Sequence, residues 1–149
     1  MDDVDVKILK ILQADGRTAL SEIARRLEMG NATIHERVDS LEADGYIKEY
    51  RAVLEPALLD IDQVAFVHVR TDPGDFSSVA ERLAEESDVQ EIHEVTGDFD
   101  LMLKVRVRER SELTELLTTV GGYDGVLETS TDVALRSVKE DHTLNLEGV

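Results

Sequence analysis

No cysteine occurs among the 149 residues of this chain. That excludes a disulfide framework, a thiolate metal site and a thiol nucleophile. There is also no apolar run approaching the roughly 20 residues that a membrane-spanning helix needs, and no basic-then-apolar leader opens the sequence. The expected location is the cytoplasm, with no membrane partner. Cationic residues are scarce: 16, only 5 of them lysine, against 33 acidic ones, a net charge of −17. So acidic a chain should be repelled by nucleic-acid phosphate. The imbalance is uneven, however, with 12 acidic and 8 basic residues through Glu55 and 21 and 8 beyond it. Acid-rich, lysine-poor composition with ordinary globular patterning suits a cytoplasm of molar salt, as in a halophilic archaeon. There the screening length falls to about 3 Å and long-range repulsion from DNA largely disappears.

What the chain does contain, between Thr18 and Gly45, is a pair of short amphipathic segments. Leu20, Ile23, Ala24 and Leu27 make an apolar stripe at helical spacing in the first, and Ile34, Val38 and Leu41 in the second. Glu28-Met29-Gly30 separates them, Thr18 can cap the first, Asn31 or Gly30 the second, and Gly45 is a C-terminal stop. A packed αα-hairpin shares this pattern, but the four-residue scale of the turn is that of a helix-turn-helix, whose second helix enters the DNA major groove. Its outward residues include Asn31, Thr33, His35, Glu36 and Arg37. Asn31, Thr33, His35 and Arg37 are the candidate base readers: Arg suits guanine, Asn adenine, and Thr the thymine methyl. The competing reading of Arg37 is an ion pair with an acid such as Asp39 or Glu42. Before this pair, Met1 to Gly16 reads as a helix capped by Asp2, with Asp5 three residues on and Val4, Ile8, Ile11 and Leu12 facing inward. After it, Tyr46 to Val53 reads as an extended wing. Arg17, Arg25, Arg26, Lys48 and Arg51 are the candidate phosphate contacts. The expected first domain is a winged helix-turn-helix over residues 1–55, with wing and connector in 46–61.

From about Asp62 the periodicity changes. Strand patterns at Gln63–Arg70, Val89–Thr96 and Leu101–Arg108 alternate with helical ones at Phe76–Glu86 and from Ser111, and Val126–Lys139 can hold a last strand. This order predicts a ferredoxin-like βαββαβ domain over residues 62–149, and the whole chain is α+β. Both helices then cover one sheet face, and pairing of two chains through the other face would place two readers on one symmetric site. Thr96-Gly97-Asp98-Phe99-Asp100 reads first as a hairpin turn. Two nearby carboxylates could also hold a divalent cation or act as an acid/base pair. His35, His68, His93 and His142 show no metal spacing, and no phosphate-cradling loop or nucleophile elbow is present. No catalytic residue, metal or cofactor is expected, and the chain is not read as an enzyme.

These residues resemble the feast/famine (leucine-responsive, Lrp/AsnC) transcription regulators. The opening Asp2, Asp5, Ile8-Leu9, Leu12-Gln13 and Asp15-Gly16-Arg17 resemble the family's first helix. Ile23-Ala24, Leu27, Arg37-Val38, Leu41-Glu42 and Gly45-Tyr46-Ile47 resemble its helix-turn-helix and wing, and Val95 to Leu101 its effector-domain hairpin. Gly30 replaces the usual capping serine or threonine, and Asp39 and Ser40 stand where the recognition helix is often basic. The resemblance implies homodimers, often assembled into octamers, that bind double-stranded DNA. It also implies an amino acid or related small effector held between subunits beside the hairpin, with Gly97 offering backbone N–H groups and Asp98 and Asp100 receiving an ammonium. Thr96, and Thr129 and Thr131 on the last strand of a neighbouring subunit, complete the expected pocket. The alternative is a metabolite-binding assembly module without sequence-specific DNA binding.

Overall fold

Asp2 starts the first helix as its sequence suggests. Its carboxylate accepts hydrogen bonds from the Val4 and Asp5 N–H groups at 2.9 and 3.0 Å, while Asp5 accepts from the Asp2 N–H at 2.8 Å. This reciprocal capping box opens α1, Asp3–Ala14. The computed structural model describes residues 1–149 and separates them into two units, Met1–Val53 with Asp141–Val149, and Leu54–Glu140. In the first unit α1 is followed by α2, Leu20–Leu27, and α3, Asn31–Ala43. Ile8, Leu12, Ile23, Ala24, Ile34, Val38 and Leu41 form its core, so each helix buries the stripe its periodicity marks. Neither cap of the helix pair uses a side chain: α2 begins after Ala19 rather than Thr18, and α3 after Gly30. The turn instead closes through Glu28, at φ 55°, and a Met29 N–H that donates to the Ala24 carbonyl at 2.9 Å. Residues 46–53, expected to be an extended wing, form no strand ladder, because they have no neighbouring strand to pair with.

The C-terminal segment Asp141–Val149, counted with the second domain on sequence grounds, packs within this first unit. The Gln13 side-chain amide donates to the Leu144 carbonyl at 2.8 Å and accepts from the Leu144 N–H at 2.9 Å. Leu144, Leu146 and Val149 line a groove with Leu9, Leu12, Tyr46 and Ile47. The tail is held mainly by this Gln13 pair, with Leu146 half-buried and Leu144 and Val149 exposed at the groove.

In the second unit a 3₁₀ turn, Pro56–Leu59, precedes β1, Gln63–Thr71. Then follow α4, Phe76–Leu83, β2, Val89–Glu94, β3, Leu101–Val107, α5, Arg110–Gly121, and β4, Val126–Val133. The sheet is antiparallel throughout, in the order β2-β3-β1-β4. That is the ferredoxin-like arrangement the element order predicts. Ala65, Val67 and Val69 of β1 and Leu101, Leu103, Val105 and Val107 of β3 pack against Val79 and Leu83 of α4 and Leu113, Leu116 and Val120 of α5. The strict alternation on β3 therefore puts Met102, Lys104 and Arg106 on the face away from the helices, beside Phe66, His68 and Arg70 of β1.

Candidate DNA-reading and ligand sites

Helix α3 is held by Ile34, Val38 and Leu41, each no more than 3% exposed. Asn31, Thr33, His35 and Glu36 in its N-terminal half are exposed, as a groove-entering helix requires. Arg37 is different. Its Nη1 donates to Asp2 at 2.9 Å and to Asp5 at 2.7 Å, and its side chain is 29% exposed. These contacts raise the Arg37 pKa, and hydrogen bonds from the Asp5 N–H and then from Arg37 hold the Asp2 carboxyl below its usual range. The residue type of Arg37 and its place on α3 suggest a base reader, but in the structure it clamps α3 to the capping box of α1. The acids engaging it lie on another helix rather than at Asp39 or Glu42. At 3.6 residues per turn, position 37 falls on the flank of α3 beside α1.

Arg37→Ala is accordingly expected to lower the melting temperature of the first unit and to weaken binding to every duplex by a similar factor. Circular-dichroism melting, together with titration of a panel of single-substitution duplexes, measures both. Loss confined to one base position would return Arg37 to the reading surface.

The phosphate candidates occupy the periphery. Arg25 donates to both oxygens of Glu22 at 2.7 and 2.8 Å and Arg26 donates to it at 2.8 Å. These bonds, Arg25's first, push the Glu22 carboxyl down to about 2. Arg17 and Lys48 are exposed, and Arg51 lies 3.4 Å from Glu49.

In the second unit the segment between β2 and β3 is closed by the Val95 N–H donating to the Asp100 carbonyl at 3.0 Å. Thr96, Gly97 and Asp98 are exposed, Gly97 sits at φ +131°, and Asp98 has no hydrogen bond or ion pair. Asp100, expected to face a ligand, is engaged within the fold. Its carboxylate accepts from the Thr71 N–H at 2.7 Å and hydroxyl at 3.2 Å, and its own N–H donates to the Val69 carbonyl. It pegs the hairpin to the end of β1. Thr129 and Thr131 pair opposite Val69 and Val67, which places them on the helix-covered face; Glu128, Ser130 and Asp132 hold the open one.

Sequence reasoning overlooked Phe99. Its ring lies 5.6 Å from that of His68 and 5.2 Å from the Arg70 guanidinium, while Arg70 Nε is buried without an acceptor. A lone aromatic inside an Asp- and Gly-rich turn was the available signal. Elsewhere on the open face, Glu140 accepts from Lys104 at 2.9 Å and from Arg106 at 2.6 Å, and these bonds, Lys104's first, keep its carboxyl below the ordinary range.

A reader helix and a ferredoxin-like sheet with a glycine-aspartate hairpin together define a known combination. Residues 64–144 match the family described as Lrp/AsnC ligand binding domain, and residues 1–48 match winged helix-turn-helix DNA-binding. This chain belongs to the Lrp/AsnC family of transcriptional regulators. It is 37% identical over 147 residues to the HTH-type transcriptional regulator FL11 of Pyrococcus horikoshii, covering 99% of this chain and 97% of that one. It is 36% identical over 151 residues to the leucine-responsive regulatory protein of Haemophilus influenzae, with 99% and 91% covered. Among solved structures, a transcriptional regulator from Neisseria meningitidis in complex with L-Met superposes with a TM-score of 0.92 at 25% identity, over 99% of this chain and 97% of that one. The Lrp/AsnC architecture thus assigns DNA binding to the helical unit and small-molecule binding to the sheet unit. No helix here is long and apolar enough to cross a membrane.

Proposed function

We propose that this Lrp/AsnC regulator reads specific operators through Asn31, Thr33 and His35, with Arg17, Arg25, Arg26, Lys48 and Arg51 on phosphates. The carrying observation is α3 itself: its N-terminal half is exposed while Ile34, Val38 and Leu41 fix it rigidly to the core. Solvent-exposed pairs such as Arg25–Glu22 are screened by water and salt and contribute little, so Arg25 and Arg26 can turn to phosphate. Residues 1–55 form the DNA-binding domain and 62–140 the ligand-binding one, with the tail joined to the former. The effector is an amino acid, as for the Neisseria relative, seated at the hairpin with Asp98 receiving its ammonium group. Support comes from the exposed Asp98 carboxylate and from the buried, unpaired Arg70 Nε beside Phe99. Two chains associate through the open sheet face as a homodimer, on which octamers can be built, in a cytoplasm of molar salt. The ligand then acts only through different affinity for alternative assemblies.

The test is retention of sheared genomic DNA from the source organism by the purified protein in molar KCl, with and without a mixture of the twenty amino acids. Enrichment of a few fragments sharing a two-fold motif is expected, with a shift in enrichment on adding amino acids. Asp98→Ala should leave the enriched motif intact and remove the shift. No enrichment at any salt where the protein is folded would instead favour a metabolite-binding assembly module.

A further inference from the structure

On α3 the buried line Ile34, Val38 and Leu41 fixes which residues lie opposite. With 3.6 residues per turn, that opposite line runs through Ala32, Glu36, Asp39 and Ala43, spaced four, three and four residues apart. All four are exposed. Asn31 and His35 fall to one side of this line, Thr33 and Arg37 to the other. Because the N-terminal part of a recognition helix approaches the base edges most closely, Ala32 and Glu36 are the residues aimed at the floor of the groove.

The Glu36 carboxylate has no hydrogen bond and no ion pair. The nearest cation in sequence, Arg37, is committed to Asp2 and Asp5. Glu36 therefore meets DNA as an unneutralised group that can only accept hydrogen bonds. In the major groove thymine O4 and guanine O6 and N7 are also acceptors, and a carboxylate against them is repelled. Cytosine N4 and adenine N6 are the two donors, but adenine carries the N7 acceptor beside N6, which repels a carboxylate, so cytosine N4 is its matching partner.

We propose that Glu36 is a specificity-determining residue that selects cytosine at one position of each half-site. It does so partly by attraction and partly by penalising every site that leaves its charge unmatched in the groove. The inference rests on α3 being the groove-reading helix.

Selection from randomised duplexes in molar KCl, with wild type, Glu36→Gln and Glu36→Ala, tests it. Wild type should select a motif with cytosine fixed at one half-site position, about tenfold over the other bases. Glu36→Gln should move that position to adenine, whose N6 and N7 suit a glutamine amide. Glu36→Ala should lose preference there alone and bind unselected duplex more tightly, since a repelled charge is gone. Both variants should melt with wild type, because the carboxylate is exposed and unpaired. The same base selected by all three proteins at every position overturns the proposal, as does a wild-type motif with no fixed cytosine. A wild type that selects no motif overturns the groove-reading role of α3 and this inference with it, which distinguishes the two failures.

Discussion

Ile34→Ala is expected to abolish DNA binding although Ile34 touches no DNA. The side chain is 0% exposed and sits where α3 meets the core of the first unit. Truncating a buried isoleucine to alanine costs about 2–5 kcal/mol, because transfer energy is lost and a cavity remains. A unit of this size rarely has more than about 3–5 kcal/mol in hand. The helix should therefore melt with its unit while the sheet unit, with its own core, stays folded. Hydrogen exchange distinguishes the two: amides of α3 should exchange at solvent-limited rates, and those of β1 and β3 should remain protected. Ile34→Val, costing about 0.5–1.5 kcal/mol, should retain both fold and binding. Full DNA affinity in Ile34→Ala would show that α3 does not depend on this core.

Dilution of salt should have an equally large effect. With 33 acidic and 16 basic residues, the folded chain concentrates a net charge of −17 in a small volume. At about 1 M salt the screening length is about 3 Å and these charges hardly interact beyond their neighbours; at 0.1 M it is about 10 Å and they repel across the domain. Far-UV circular dichroism should show loss of structure as KCl falls from molar to about 0.1 M. A fold indifferent to that change would remove the argument for a halophilic source. Molar salt also weakens phosphate binding, because counterion release then contributes little. Recognition under those conditions leans on base contacts, so side chains such as Glu36 carry more of the discrimination than they would in dilute buffer.

Much of this protein was legible from one sequence because periodicity is a local property. Alternation in Leu101 to Val107 could only be a strand with one buried face, and the stripes of Ile23-Leu27 and Ile34-Leu41 could only be helices packed on a common core. The glycine-aspartate hairpin is likewise local: Gly97 sits at a positive φ that its residue type accommodates. These elements in their order determined the helix-turn-helix, the ferredoxin-like sheet and the family.

Tertiary structure decided which polar side chains remain free. Arg37 and Asp100 look like site residues in the sequence, yet one is engaged by Asp2 and Asp5, 35 and 32 residues away, and the other by Thr71, 29 residues away. The one-residue phase of β4, which sends Thr129 and Thr131 to the helix-covered face, follows from its register against β1, not from its own residues. The tail was similarly undetermined, because its position depends on Gln13 offering a donor and an acceptor at the spacing of one backbone residue. Hydrophobic periodicity specifies what each element must bury. Which charged or polar group meets which depends on distances across the packed chain, and these exist only after the core has formed.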